Sequence, residues 1–108
     1  MMTRNEMPAT LVKGWRVGEW SAPRGVSALD ILAYEEQELG NYLGVSDSAR
    51  ASLVGKPGSN LLWVTTRKAD ALHYGSHPYK VTFRSAAQVI GSDGDGGYLV
   101  LIEEEPTV

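Results

Sequence analysis

The chain has 108 residues, 43% of them hydrophobic and none of them cysteine, a length and apolar content that suit one hydrophobic core and a single domain over 1–108. Without cysteine there are no disulfides and no thiolate metal sites, so the fold rests on packing and a reducing, cytoplasmic setting is expected. Ten Lys and Arg against 13 Asp and Glu leave a net charge of −3 with the cations scattered, which argues against direct nucleic-acid binding, and no run approaches the roughly 20 apolar residues of a membrane span.

Residues 1–9 hold no apolar stretch of signal-peptide type and are expected as a loose start. Leu11, Lys13, Trp15 and Val17 then alternate with Val12, Gly14, Arg16 and Gly18, the period-2 pattern of a strand, with Arg16 on the face opposite Trp15. Ala22-Pro23-Arg24-Gly25 is turn chemistry. Ser27 followed by Asp30 resembles a capping box and predicts a helix from Ala28 to Leu43. Its stripe is Leu29, Leu32, Leu39 and Leu43, and Glu36 falls in the middle of it. A carboxylate there either reaches water or an arginine such as Arg16 at the rim of the domain, or serves as a pocket acid.

Asp47 to Leu53 predicts a short helix capped by Ser46 or Asp47 and ended by Gly55, before the loop Lys56 to Asn60. Leu61 to Thr65 is a largely buried strand. Thr66 is placed to cap a helix from Arg67 to Tyr74, which Gly75 and Pro78 stop. Tyr79, Val81 and Phe83 alternate with Lys80, Thr82 and Arg84; Gln88 to Ile90 reads as another short strand; Gly91 to Gly97 is a glycine-rich loop; and Tyr98 to Glu103 is the last strand before a tail over 104–108. The short final connections favour an α+β domain with a mixed or antiparallel sheet and flanking helices.

Several sites of chemistry fall away. His73 and His77 have the spacing of two ligands on one helix face, but Gly75 and Pro78 interrupt any such helix. No serine stands in a nucleophile elbow. Asp93-Gly94-Asp95-Gly96 starts like a calcium loop but lacks the third acid and the closing glutamate, and reads as a hairpin connection. The acidic runs Glu35-Glu36-Glu38 and Glu103-Glu104-Glu105 suit a solvated face or a surface imitating a polyanion.

Three segments together resemble the ADP-ribosyltransferase fold. Lys13-Gly14-Trp15-Arg16-Val17-Gly18 is similar to the family's opening strand, and the resemblance implies that Arg16 contacts NAD+, the substrate. Leu61 to Thr66, then Ala69-Asp70-Ala71-Leu72-His73-Tyr74-Gly75, then Tyr79 to Phe83, resemble its middle strand, its short helix with an Ala-x-x-Tyr pattern and the strand that follows; Thr65, Thr66 and Tyr74 would then border the nicotinamide pocket. Asp93 to Gly97 before Tyr98 resembles the acid-bearing approach to the final strand. The family's glutamate directly before that strand is missing, since Gly97 stands there. Small phage anti-CRISPR transferases carry an aspartate earlier in a similar loop, which nominates Asp93 as the catalytic acid with Asp95 behind it. Glu103, first of a Glu-x-Glu pair with Glu105, is the other candidate.

The resemblance implies a split sheet with a central cleft on which Arg16, Thr65 and Tyr74 converge. It also implies a minimal mono-ADP-ribosyltransferase acting on a host macromolecule, most simply a protein, as a phage or bacterial effector. The rival is a non-catalytic inhibitor or nucleotide-binding module on the same scaffold, which Gly97 favours.

Overall fold

The computed structural model describes residues 7–18 and 22–103, with residues 41 and 42 described by backbone alone. The expected loose start over 1–6, the tail over 104–108 and Glu105 of the Glu-x-Glu pair lie outside the described residues. Residues 7–9 are tied down, contrary to expectation: the Ala9 carbonyl accepts the Val89 N–H at 2.9 Å, and Met7 packs against apolar strand residues.

Four strands are seen among the described residues: β1 (Thr10–Arg16), β2 (Leu61–Thr65), β3 (Tyr79–Ser92) and β4 (Gly97–Leu101). Every pairing is antiparallel, in the order β1-β2-β4-β3, and β3 returns to β1 to close the ring. The α+β class is as expected, but the sheet closes instead of splitting. The cause is β3, which continues through Ser85 to Ala87 where the sequence pattern suggested a break. Leu11 pairs with Ala87 and Lys13 with Thr82, and a second irregularity falls between Val89 and Gly91. Such bulges bend a strand, so β3 pairs with β1 from Tyr79 as far as Gln88 and with β4 from Gln88 to Ser92. The β1–β2 seam is the thinnest joint of the ring, held by the single register pair Trp15↔Thr65.

Gly14 permits that seam. A Cβ at this position would lie 3.0 Å from both the Thr65 carbonyl oxygen and the Val64 Cβ, so any side chain here would press on β2, and glycine lets β1 come this close without displacing it.

The helices are α1 (Ala28–Leu39), α2 (Asp47–Ser52) and α3 (Lys68–Ala71). The expected capping box is complete: the Asp30 N–H donates to Ser27 Oγ at 3.1 Å and the Ser27 N–H to Asp30 Oδ2 at 3.3 Å. α1 ends four residues before the expected Leu43, because Gly40 adopts φ +60° and the chain tightens into a 3-10 turn over Gly40–Leu43. Ser46 caps α2 through the Ala49 N–H at 3.1 Å. Thr66 does not cap α3; Arg67 holds that position without a side-chain bond, and Thr66 is exposed. The hydroxyl that works at this corner is that of Thr65, which donates to the Arg67 carbonyl at 2.8 Å.

Two apolar clusters hold the domain. Leu32, Leu43, Leu53, Leu61, Ile90 and Leu99 form the layer between helices and sheet, while Leu62, Val64, Val81, Phe83, Val89 and Val100 meet among the strands themselves. Leu61 and Leu62 therefore face different clusters, as do Leu99 and Val100. This explains why the sequence of β2 is an unbroken apolar run instead of an alternation, and each such side chain, fully buried, contributes about 1.5–3 kcal/mol.

Candidate functional site

At the β1–β2 seam lies a cavity of about 520 Å³, bounded by the ends of those two strands, by α1, by the turn that follows α3 and by the β3–β4 hairpin. Its size is in the range usual for small-molecule sites. Most of the wall is apolar, with the rings of Trp15, Trp63, Tyr34 and Tyr74 and the side chains of Ile31 and Leu39. Polar groups enter from three directions: Arg16 at the end of β1, Thr65 at the end of β2, and Asp93 at the hairpin. A fourth set, Glu35 and Glu38, comes from α1.

Arg16 and Trp15 were expected on opposite faces of β1, yet both line the cavity. Arg16 is the last residue of its strand, paired with Tyr79 at the end of the ladder. On Trp15, the Lys68 ammonium lies 5.6 Å from the ring centroid, a cation–π contact that links α3 to the seam.

The hairpin acid is held by three donors. Asp93 Oδ1 accepts the N–H of Asp95 at 2.8 Å and that of Gly97 at 2.9 Å, and Oδ2 accepts the Tyr74 hydroxyl at 2.5 Å. The turn is closed by the Asp93 N–H on the Gly97 carbonyl at 3.1 Å, with Gly94 at φ +82° and Gly96 at φ +90° making the reversal. Tyr74 answers electrostatically. Its phenol is pushed up to about 12, first by the hydrogen bond to Asp93, then by partial burial and the negative charges of Asp93, Asp95 and Asp70.

A second cavity of about 450 Å³ adjoins the first across Tyr74, with Asp70, His73 and Asp95 on its wall. Asp70 is already paired with Arg67, Nε to Oδ2 at 3.1 Å, and that bond holds its carboxyl below the ordinary value. Among the described residues no three His, Asp or Glu side chains converge as a metal site, and no helix is long and apolar enough to cross a membrane.

Of the residues singled out in the sequence, Arg16, Thr65, Tyr74 and Asp93 thus share one cavity wall. Asp95 borders the adjoining cavity. Thr66 and Glu103 are exposed and border neither. Glu36 is also outside: its carboxylate takes both terminal nitrogens of Arg50, at 2.9 and 2.8 Å, and that bond holds its pKa down. The partner is Arg50 of α2, not Arg16. Glu35 and Glu38 were expected only as part of an acidic surface run, although Ile31, Tyr34, Glu35, Glu38 and Leu39 follow the i, i+3, i+4, i+7, i+8 spacing of one helix face. The stronger leucine stripe beside them masked that signal.

Chemically, the cavity can hold a planar group among aromatic rings while a guanidinium, a buried hydroxyl and a fixed carboxylate meet the polar atoms attached to it. Comparisons with protein-family models, curated proteins and solved structures found no match to this chain.

Proposed function

We propose that this protein is a minimal mono-ADP-ribosyltransferase that uses NAD+ as substrate and modifies a host macromolecule, most simply a protein, as a phage or bacterial effector in the host cytoplasm. One observation carries the reading: Arg16, Thr65, Tyr74 and Asp93, from three separate stretches of the chain, line a single cavity. Arg16 would hold the dinucleotide through paired hydrogen bonds to phosphate or ribose oxygens. Thr65 and Tyr74 would border the nicotinamide.

In the reaction the C–N glycosidic bond of NAD+ breaks and its electron pair leaves with nicotinamide, which becomes neutral. Positive charge develops on the ribose, and the carboxylate of Asp93 stabilises it. A nucleophile of the target then bonds to the same carbon and releases its proton. Asp95, on the neighbouring cavity, and the exposed Glu103 are the other acids to be weighed.

The test is nicotinamide release from NAD+ by the parent and by Asp93→Asn, Asp95→Asn and Glu103→Gln, with host extract as acceptor. Loss confined to Asp93→Asn supports the assignment. Loss confined to Glu103→Gln overturns it.

A second reading is a non-catalytic binding module that inhibits a host protein or holds a nucleotide. It is favoured by the engagement of Asp93 within its own hairpin through the N–H groups of Asp95 and Gly97, which gives the carboxylate a structural use. Thermal shift with NAD+ separates the two: no shift and no nicotinamide release leave the inhibitor, and a shift without release leaves a nucleotide-binding protein.

A further inference from the structure

We propose that Tyr74 is a positioning residue for Asp93, its hydroxyl fixing the direction in which the carboxylate meets a ligand. This rests on the reading of the cavity as an NAD+ site and assigns Tyr74 a role beyond bordering the nicotinamide.

Tyr74 is 59% exposed, so packing in a core does not account for its placement. What holds it is the backbone: the Tyr74 N–H donates to the Ala71 carbonyl at 3.0 Å, and the next residue is Gly75, where a Cβ would run into Val17. That close approach brings the end of the α3 turn against the end of β1 and aims the phenol at the hairpin.

A carboxylate has about four acceptor positions, two on each oxygen. Asp93 uses two on Oδ1 for the N–H groups of Asp95 and Gly97, and one on Oδ2 for Tyr74. The position left over is on Oδ2, the oxygen that Tyr74 already holds. A ribose hydroxyl that reaches Asp93 therefore shares that oxygen with Tyr74, and the phenol sets the angle at which it is met. Because its pKa is about 12, the phenol remains a donor throughout the neutral range.

The experiment compares Tyr74→Phe, which keeps the ring and removes the hydroxyl, with the parent. In nicotinamide release from NAD+, kcat is expected to fall about tenfold or more, the scale of losing a hydrogen bond to a charged group, while KM stays within about twofold because the ring is retained. Unchanged kcat in Tyr74→Phe overturns the proposal, since a purely bordering ring needs no hydroxyl. A second readout is independent of activity. Tyrosines carrying a carbon-13 label at the ring carbon that bears oxygen are titrated by NMR in the parent and in Asp93→Asn. The Tyr74 signal is expected to titrate at lower pH in the variant, and an unmoved titration overturns the proposal. Should the parent release no nicotinamide, the reaction assigned above fails, and the titration by itself decides whether Tyr74 and Asp93 are coupled.

Discussion

The carboxylate of Asp93 occupies the space into which a side chain at position 97 would project: a Cβ on Gly97 would lie 2.5 Å from Asp93 Oδ2 and 2.9 Å from its Cγ. The glycine before β4 and the aspartate in the hairpin are thus two sides of one arrangement. Gly97→Ala is expected to displace the carboxylate and destabilise the domain by about 1–3 kcal/mol, the usual cost of overpacking. In an Asp93→Gly background the same change should cost much less. Chemical denaturation of the two single variants and the double variant measures this coupling; costs that simply add would show that the two positions are independent.

The threonines at the end of β2 are expected to behave unequally. Thr65 is buried and donates to the Arg67 carbonyl, whereas Thr66 is exposed. Thr65→Val should cost about 1 kcal/mol through the lost hydrogen bond and weaken NAD+ binding as read by thermal shift. Thr66→Val should leave both unchanged.

Glu36→Leu completes the leucine stripe of α1 while removing a partner of Arg50. Exposed ion pairs contribute little, and both side chains of this pair reach solvent, Arg50 at 44% and Glu36 at 34%, so the variant is expected to be neutral or slightly more stable. Nicotinamide release should be unaffected, because Glu36 does not border the cavity. A fall in release with intact stability would place Glu36 in the site after all.

The pH dependence of stability has an acid and an alkaline limb. Arg50 holds the carboxyl of Glu36 below its ordinary 4.5, and Arg67 holds that of Asp70 below 3.8. A carboxyl depressed in the folded state stabilises above its unfolded pKa, so this contribution is lost as pH falls through the lowered folded values. Tyr74 is the opposite case. Raised from 10.0 to about 12, it stabilises fully below pH 10, and the contribution disappears as pH rises towards 12. Tm measured across both ranges should lose part of its acid limb in Glu36→Gln and part of its alkaline limb in Tyr74→Phe.

At the start of α1, Ser27→Ala removes the acceptor for the Asp30 N–H and half of the capping box. It should lower stability by about 1 kcal/mol without touching the cavity, and a denaturant midpoint that does not move would contradict the cap.

Signals that act within a few residues were legible in the chain itself. Ser27 and Asp30 announced the start of α1, Ser46 that of α2, the alternation from Leu11 onward β1, and the glycines of 91–97 the last reversal, because capping and turn formation depend on neighbouring atoms alone. The α+β class followed from their order. Closure of the sheet did not, since it depends on β3 bending at its bulges and on Gly14 admitting β1 to β2, both set by strands far away in sequence. The same distance separates the candidate site from its signals. Helical periodicity singled out Glu36, but the placement of Arg50 took it out of the cavity while Glu35 and Glu38 turned in. Local pattern names Asp93 as a turn residue; only the packing of the α3 turn against β1 and the hairpin brings Tyr74 to its carboxylate and makes the two a pair.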